Sequence, residues 1–381
     1  MERLRVGLFT EIYRPVVNGV VASVEALAGG LQLAGHEVFC FAPKMPGANA
    51  AESRIVRIPS LPLPARTPYR LTLPLVSRRD RKSVIERLDV VHVHSPFITG
   101  WMGLRYARRY GIPLIYTYHT QLEAYAHYIP FEANATRFAA SQLTRTFANL
   151  ADAVIAPTPA MAARLQALGV TVRVETVPSG IDVARFRAGR RSEEMRRWAG
   201  ATPGKRLLLY VGRLAKEKSI DLVFEALVRA NEPTLQLAIA GDGPLREELE
   251  HRAAELHLGD RLKFLGLVEQ GRLPDLYASA DAFVMPSVTE TQGIVLAEAL
   301  ASGLFIIAAD APQNRDVLGS EGSLVPPEAG AFAAAFKAVP SEPDPHSATA
   351  ARDAAERFSI ERQISRTLAL YESLTRPARI A

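Results

Sequence analysis

Two glutamates, Glu290 and Glu298, lie on either side of Gly293, where a strand-like run ends and an amphipathic helical pattern begins. The first turn of a helix has amide groups without helical partners and a partial positive charge, which suit a phosphate or an electron-rich oxygen. Ionised carboxylates only accept hydrogen bonds, so they suit hydroxyl groups better than phosphates. A phosphate cradle beside two hydroxyl acceptors matches a sugar nucleotide, although an isolated pair of glutamates is equally compatible with two solvated charges.

Two cations, Arg213 and Lys218, follow Gly212 at the end of a predicted strand over 206–211. Arginine offers phosphate oxygens a rigid fork and lysine offers a mobile point charge, so together they can hold a diphosphate. The same charges would stabilise a diphosphate as it leaves in a reaction. Taken alone, the pair is also compatible with two surface cations.

Gly19 follows Asn18 at the start of a predicted helix over 19–33. Because glycine has no Cβ, a phosphate or sugar can approach the backbone closely there. The alternative is a glycine that only the turn requires.

Histidines end two predicted strands. His119 follows the apolar strand over 114–118, where it can donate to a sugar hydroxyl unless it is a core histidine. His92 and His94 share one face of the strand over 90–94. They have no cysteine nearby and no clear carboxylate partner, so we predict no metal site.

The elements that must position these residues alternate between apolar strands and helical segments, which is typical of parallel sheets covered by helices. The first series of strands is predicted at 5–10, 37–42, 90–94, 114–118, 153–156 and 172–177, and the second at 206–211, 236–240, 262–265, 281–285 and 304–308. The loops that carry His119, Arg213, Lys218 and Glu290 lie just after strands, and ligands of such sheets bind at the carboxyl ends of the strands.

The break between the two series falls in the polar, arginine-rich stretch 178–204. We therefore predict an α/β protein with two doubly wound Rossmann-like domains, 1–178 and 179–357, facing across a cleft. An amphipathic helix within 358–381 is predicted to return to the first domain. The first turn has no GxGxxG fingerprint, which disfavours a nicotinamide-dependent enzyme.

Charge is uneven, since residues 1–178 carry 20 Lys and Arg against 12 Asp and Glu while the whole chain has a net charge of +5. Basic residues mixed with apolar ones suit an anionic membrane surface. Nucleic acid is another partner of a basic face, but no recognition motif supports it; a basic surface without a partner stays open. The candidate membrane and acceptor residues are Arg66, Arg70, Arg78, Arg79, Arg81 and Lys82.

A single cysteine, Cys40, cannot form an internal disulfide, and no leader pattern opens the sequence. We therefore expect a reducing cytoplasm. No apolar run reaches the length of a spanning helix, about 18 residues. Any association with a membrane is therefore expected to be peripheral.

Taken together, these residues resemble the retaining GT-B glycosyltransferases of family 4. The resemblance spans nearly the whole chain, and its signature is Glu-x7-Glu, here Glu290 to Glu298, preceded by Gly212-Arg213 and Lys218. It implies that Glu290 binds hydroxyls of the transferred sugar and that Glu298 binds the ribose of the nucleotide.

The same resemblance implies roles for the remaining candidates. Arg213 and Lys218 would hold the diphosphate and replace a divalent metal, so that no cofactor is needed. Gly19 would approach the diphosphate from the other domain, and His119 would contact the donor sugar near the reaction centre. The amides of Gly293, Ile294 and Val295 would complete the cradle, and the new linkage would keep the α configuration.

A narrower resemblance concerns the acceptor. The runs His94-Ser-Pro-Phe97, Tyr116-Thr-Tyr-His119, His127-Tyr-Ile-Pro130 and Thr289-Glu-Thr-Gln-Gly293 are similar to those of bacterial diacylglycerol glucosyltransferases. It implies a nucleotide sugar, UDP-glucose or UDP-galactose, as donor, a lipid such as diacylglycerol as acceptor, and a place on the inner face of the cell membrane.

Three other interpretations stay open. Phosphatidylinositol mannosyltransferases share much of the narrower pattern, so a GDP-mannose donor with a phospholipid or soluble acceptor is the first. A UDP-sugar 2-epimerase shares the GT-B architecture, but the placement of Glu290 and Glu298 argues against it. A non-catalytic binder of sugar nucleotides is disfavoured because all the candidate catalytic residues are present: His119, Arg213, Lys218 and Glu290.

Overall fold

The computed structural model describes residues 2–47, 54–63, 70–128, 132–341 and 344–375. The chain forms two compact units: unit 1 consists of residues 1–180 with 360–381, and unit 2 consists of residues 181–359. The sequence predicted a boundary after residue 178 and a return to the first domain at residue 358.

Unit 1 contains a parallel seven-stranded sheet in the order β3-β2-β1-β6-β7-β8-β9. Its strands, with a separate antiparallel hairpin of β4 and β5, are β1 Arg5–Phe9, β2 Glu37–Pro43, β3 Ile55–Ile58, β4 Ser60–Pro62, β5 Arg70–Thr72, β6 Val90–Val93, β7 Leu114–Thr117, β8 Ala153–Ala156 and β9 Arg173–Thr176. The α-helices in the first 180 residues are α1 Gly19–Leu33, α2 Arg78–Ser83, α3 Ile98–Tyr110, α4 Ala133–Ala148 and α5 Pro159–Ala167.

Buried strands explain why unit 1 forms a parallel sheet. All four residues of β6, β7 and β8 are buried, so both faces of the central strands are covered and the strands read as continuous apolar runs. One face packs around the stacked rings of Phe9 and Phe41, whose centroids lie 4.3 Å apart.

Unit 2 contains a parallel six-stranded sheet in the order β12-β11-β10-β13-β14-β15. Its strands are β10 Arg206–Val211, β11 Leu235–Ala240, β12 Leu262–Gly266, β13 Ala282–Met285, β14 Phe305–Ala309 and β15 Ser323–Val325. Its helices are α6 Val183–Arg187, α7 Glu193–Trp198, α8 Ile220–Ala230, α9 Arg246–Glu255, α10 Leu273–Ser279, α11 Ile294–Ser302, α12 Pro312–Leu318, α13 Ala329–Lys337 and α14 Pro345–Ala355.

The strand order of unit 2 reverses between β10 and β13, which are neighbours in the sheet. In open parallel sheets this reversal opens a crevice at the carboxyl ends of the two strands, and ligands bind there. The loop after β10 carries Arg213 and Lys218, and the loop after β13 carries Glu290. The fold of unit 2 therefore brings both predicted charged groups to its ligand-binding edge.

The last helix, α15 Ile360–Thr375, belongs to unit 1. Its apolar side packs on α1, where a Cβ added to Gly30 would lie 2.5 Å from Cγ1 of Ile364. Because any side chain at Gly30 would collide with Ile364, this glycine permits the close approach of the two helices. Tyr371 of α15 is fully buried in the core of unit 1.

Candidate active site

An ion pair joins the loop after β10 to the loop after β13. These loops lie where the strand order of unit 2 reverses, which we call the switch point. Nζ of Lys218, at the end of the short 3-10 turn Lys216–Lys218, lies 2.5 Å from Oε1 of Glu290. The Lys218 side chain is 17% exposed and that of Glu290 is 18% exposed, so both are accessible yet largely shielded from water. Partial burial strengthens the attraction between the charges relative to a surface pair.

Arg213 is half-buried in the same loop. Its carbonyl oxygen accepts a hydrogen bond of 3.2 Å from the hydroxyl of Tyr210, whereas its guanidinium group has no hydrogen bond or ion pair with any described residue. Burial, followed by the negative charges of Glu290 and Glu217, raises the pKa of Tyr210, so its hydroxyl stays protonated and donates. The Arg213 guanidinium is thus available to an anion.

The loop after β10 rests on the loop after β11. The amide of Leu214 donates to the carbonyl of Asp242 over 3.0 Å. A Cβ added to Gly241 would lie only 1.9 Å from the carbonyl oxygen of Gly212, so the two backbones touch and only glycine fits. This contact restrains the backbone of Gly212, which directly precedes Arg213.

The loop that carries Glu290 is held from one side by the loop after β10. The hydroxyls of Ser287 and Thr289 donate to the carbonyl oxygen of Glu217 over 3.1 and 3.0 Å. Glu217 directly precedes Lys218 in the chain. The same contacts that order the glutamate loop therefore also place the lysine.

Helix α12 holds the Glu290 loop from the other side. Nε2 of Gln313 donates to the carbonyl of Val288 over 2.8 Å, and Nδ2 of Asn314 donates to the carbonyl of Ser287 over 3.1 Å. Asn314 is fully buried and also donates to the carbonyl of Ala309 over 2.8 Å. These amides satisfy carbonyl groups that a buried loop would otherwise leave unpaired.

Helix α11 begins at the predicted glycine. Gly293 is its N-cap with a φ of 75°, a left-handed conformation that glycine adopts without strain. No side chain among the described residues caps this helix end. The first turn, with Ile294 and Val295, therefore presents amide groups and the positive end of the helix dipole to a ligand.

Glu298 lies one turn into α11 and is half-buried. Its Oε2 accepts a hydrogen bond of 2.8 Å from the hydroxyl of Tyr277. Burial raises the pKa of Glu298 to about 7, against the lowering effects of the Tyr277 hydrogen bond and the positive charge of Arg185. Its protonation state therefore changes close to neutral pH.

The candidate histidine lies in unit 1, where His119 follows β7 and is half-buried. Its Nε2 is 2.9 Å from Nδ1 of His94, which follows the neighbouring strand β6. Burial lowers the pKa of His119 to about 4, so the ring is neutral at physiological pH. A neutral imidazole can donate one hydrogen bond and accept another.

Gly19 also lies in unit 1, exposed at the first position of α1. The side chain of Asn18 caps the helix by accepting from the amide of Val21 over 2.9 Å. A Cβ added to Gly19 would meet no atom within 4 Å, so the space above this helix end is open.

The basic segment, residues 70–82, combines exposed cations with exposed leucines. Arg78, Arg79 and Lys82 on α2 are exposed, and Leu71 and Leu75 expose 44% and 61% of their surface. Two other predicted cations contact protein groups. Arg70 donates to the hydroxyl and carbonyl of Ser60, and Nε of Arg81 lies 3.9 Å from Oε1 of Glu86. Arg66 lies outside the described residues.

The ranges that the structure describes contain no group of three or more His, Cys, Asp or Glu residues with the arrangement of a metal site. None of the helices in those ranges is both long and apolar enough to cross a membrane.

Comparison with known proteins identifies the family. Residues 17–185 match the profile described as Glycosyltransferase Family 4, and residues 191–357 match the one described as Glycosyl transferases group 1. The alpha-monoglucosyldiacylglycerol synthase of Streptococcus pneumoniae is 33% identical over 350 residues, which cover 90% of this chain and 79% of that protein. The chain belongs to glycosyltransferase family 4.

Two further similarities bear on this family 4 glycosyltransferase. The GDP-mannose-dependent alpha-mannosyltransferase of Mycobacterium tuberculosis is 36% identical, with 83% of this chain and 81% of that protein covered. The solved structure of sucrose-phosphate synthase from Thermosynechococcus elongatus has a TM-score of 0.78 at 22% identity, with 98% and 99% of the two chains covered. The predicted GT-B fold class and the predicted hexosyltransferase activity are confirmed.

Several residues around the site of this glycosyltransferase were not singled out from the sequence. Tyr277, Gln313 and Asn314 act through contacts with residues 21 to 27 positions away. Gln313 and Asn314 carried one usable signal, since they are polar residues shortly after β14, at the edge where Glu290 lies. Tyr277 carried none, because a tyrosine within an apolar helix reads as core.

Proposed function

We propose that this enzyme transfers a hexose from a nucleotide sugar to a lipid acceptor with retention of the α configuration. The observation that carries the proposal is the Lys218–Glu290 pair at the switch point of unit 2, beside Arg213 and the uncapped start of α11. A diphosphate needs cations and amides, a hexose needs hydroxyl acceptors, and this edge supplies both.

In the proposed reaction the bond between the anomeric carbon and the diphosphate oxygen breaks, and a bond from the anomeric carbon to the acceptor oxygen forms. The electron pair of the broken bond leaves with the nucleoside diphosphate, whose leaving oxygen carries the developing negative charge and accepts the proton of the acceptor hydroxyl. Arg213, Lys218 and the amides of Gly293, Ile294 and Val295 stabilise that charge. Such groups are typically worth about 100- to 1,000-fold in rate each.

The carboxylates determine how the donor is oriented. Glu290 accepts hydroxyl groups of the hexose, and Glu298 accepts hydroxyl groups of the ribose. Gly19 and His119 contribute from unit 1, the glycine at the diphosphate and the histidine at the hexose. Because Arg213 and Lys218 supply two positive charges, the reaction needs neither a divalent metal nor another cofactor.

For the acceptor we propose diacylglycerol at an anionic membrane, with UDP-glucose or UDP-galactose as donor. The similarity to a protein named alpha-monoglucosyldiacylglycerol synthase supports this choice. So do the exposed cations and leucines of the basic segment, which suit the inner face of the cell membrane.

A GDP-mannose donor is the second candidate, because a protein named GDP-mannose-dependent alpha-mannosyltransferase is 36% identical. The two proposals differ in nucleotide and in sugar. The edge at β10 and β13 is compatible with both, since it binds the diphosphate and hydroxyl groups that both donors share.

A transfer assay tests these proposals. Radiolabelled UDP-glucose, UDP-galactose and GDP-mannose are each supplied with mixed anionic vesicles that contain diacylglycerol or phosphatidylinositol, and the extracted lipid is counted. Label in diacylglycerol from a UDP-sugar supports the first proposal, and lipid label from GDP-mannose supports the second. Transfer to a soluble acceptor alone would overturn the lipid assignment, and a change in the sugar without transfer would indicate an epimerase.

A further inference from the structure

A chain of aromatic contacts in unit 1 connects α15 with His119. The hydroxyl of Tyr371 lies 2.6 Å from Nδ1 of His92, whose Nε2 lies 2.6 Å from Oγ1 of Thr117. The rings of His92 and His94 are stacked with centroids 4.4 Å apart. His94 in turn shares a hydrogen bond of 2.9 Å with His119.

We propose that His94 is a positioning residue that fixes the ring orientation of His119 and couples its own tautomer to that of His119, and that Tyr371 holds His94 in place through His92. The inference rests on the proposed role of His119 at the donor hexose. It assigns a part in the reaction to a helix that follows unit 2 in the sequence.

Burial keeps the rings of these connected residues away from bulk water. His92, His94 and Tyr371 expose 1%, 3% and 0% of their surface, so their rings cannot exchange protein partners for solvent. Burial lowers the pKa of His92 to about 3 and the pKa of His94 well below its ordinary value, so both rings are neutral. A hydrogen bond between neutral imidazoles needs one donor and one acceptor, and it therefore couples their tautomers.

Among the described residues, His94 has a hydrogen-bond partner at Nδ1 but none at its buried Nε2. The residue lines a small pocket together with Ser23, Ser179 and Gln363. The bond from Nδ1 is thus the one protein contact, among the described residues, that selects a tautomer of His94. When Nδ1 of His94 donates, the proton of His119 resides on Nδ1; when it accepts, the proton resides on Nε2.

His92 is held on both ring nitrogens, by hydroxyls from α15 and β7. One hydroxyl donates and the other accepts, since the neutral ring has one N–H. The two hydrogen bonds therefore fix the orientation of the His92 ring, and the His94 ring stacks on it. Loss of the Tyr371 hydroxyl would leave Nδ1 of His92 without that partner and allow the stack to shift.

The experiment uses the full-length enzyme in the donor and vesicle assay, together with ¹⁵N spectra of histidine-labelled protein. His94→Leu removes the hydrogen bond, and His94→Asn keeps a hydrogen-bonding atom close to the position of Nδ1. Tyr371→Phe removes a single hydroxyl, and Ser373→Ala is its control on the same helix, because Ser373 contacts Arg173 and Leu370 rather than the histidines.

We expect His94→Leu to lower kcat by roughly 10- to 100-fold, the scale of misplacing a reacting group, while the donor KM changes little. The ring ¹⁵N resonances of His119 should shift in His94→Leu and Tyr371→Phe, with partial return in His94→Asn and no change in Ser373→Ala. A role in packing alone would lower the melting temperature without moving the His119 resonances.

Unchanged His119 resonances and kcat in a folded His94→Leu enzyme would overturn the inference. Should that variant not fold, the same result in Tyr371→Phe would do so. A His119→Ala variant distinguishes an error in the proposed role of His119 from an error in the inference about His94. If it retains normal turnover, the proposed role of His119 is wrong and the inference falls with it; if it is inactive while His94→Leu is normal, only the inference is wrong.

Discussion

Glu290 is paired with Lys218 across 72 positions of sequence, with 2.5 Å between carboxylate oxygen and ammonium nitrogen. The group assigned to the hexose therefore orients the group assigned to the diphosphate. Under the proposed function, a bound donor brings phosphate oxygens to the lysine and hydroxyl groups to the glutamate, so that each side chain gains the partner that suits its charge.

The interaction energy of Lys218 with Glu290 should be measurable without substrate. We expect Lys218→Met and Glu290→Gln to be coupled in a double-mutant cycle, with a coupling free energy of unfolding of about 0.5–3 kcal/mol. Either single change removes one charge of the pair and keeps the other partly buried, and the double change removes both charges. Urea unfolding of the four proteins measures the coupling, and additive single effects would contradict it.

Arg213→Ala should lower kcat by about 100- to 1,000-fold and leave the fold intact, because the guanidinium group has no described protein partner to lose. Lys216→Ala is the matched control, since Lys216 is an exposed cation in the same loop. Initial rates and melting curves for both variants check the expectation. Equal effects of the two substitutions would remove Arg213 from the mechanism.

The donor KM should fall as pH rises through about 7, because in its proposed contact with the ribose Glu298 accepts two hydroxyls only as a carboxylate, and its pKa is about 7. Glu298→Gln should bind the donor weakly with a flat profile in this range. Tyr277→Phe removes a hydrogen bond that lowers this pKa, so its midpoint should lie at higher pH. Identical profiles for all three enzymes would show that another group titrates.

The same carboxyl has an effect of defined sign on stability. Its pKa is about 7 in the folded protein against an ordinary value of 4.5, so the folded state binds the proton more tightly than the unfolded chain. The contribution of Glu298 to the free energy of unfolding therefore falls as pH rises between these values and is constant above them.

Asn314→Ala should destabilise the enzyme by about 1–3 kcal/mol, because the carbonyls of Ser287 and Ala309 lose a buried donor. Turnover should also fall, since the loop that carries Glu290 loses one support. Arg315→Ala on the same helix is the control, as its ion pair with Asp310 lies at the surface. Urea unfolding compares the two, and equal stability losses would contradict the assignment.

Removal of the four cations of α2 should weaken binding to anionic vesicles, most clearly at low salt, where the Debye length is about 30 Å at 0.01 M against about 8 Å at 0.15 M. Vesicle co-sedimentation measures the effect. A variant that loses four exposed cations of unit 2 is the control, and equal loss of vesicle binding in both variants would contradict a specific role of α2. The test substitutes Arg78, Arg79, Arg81 and Lys82, and the control substitutes Arg190, Arg197, Arg229 and Lys337.

Most of the sheet could be predicted from the sequence because buried parallel strands are short apolar runs bounded by turns. The predicted strands at 153–156 and 206–211 and the predicted helix at 19–33 have the bounds that the structure shows. The β4–β5 hairpin was not predicted, since its strands have three residues each and little apolar pattern.

The residues of the candidate site were predictable where charged or polar side chains lie directly after a strand. The residues that hold it were not, because hydrogen bonds such as Asn314 to Ser287 and His94 to His119 depend on tertiary distances. For the same reason the sequence, which predicted Arg70 as a membrane or acceptor residue, did not predict that its guanidinium group donates to Ser60. Charge alone does not tell whether a cation faces solvent or a neighbouring strand.

The position of α15 has a consequence for synthesis on the ribosome. Unit 2 is continuous from residue 181 to residue 359, so its core can close as soon as that stretch has left the exit tunnel. Unit 1 begins the chain, yet part of its core belongs to α15, where Ile364 packs against Gly30 of α1 and Tyr371 is buried. The half of the protein that is translated first is therefore the last to be completed, the reverse of the usual N-terminal-first order.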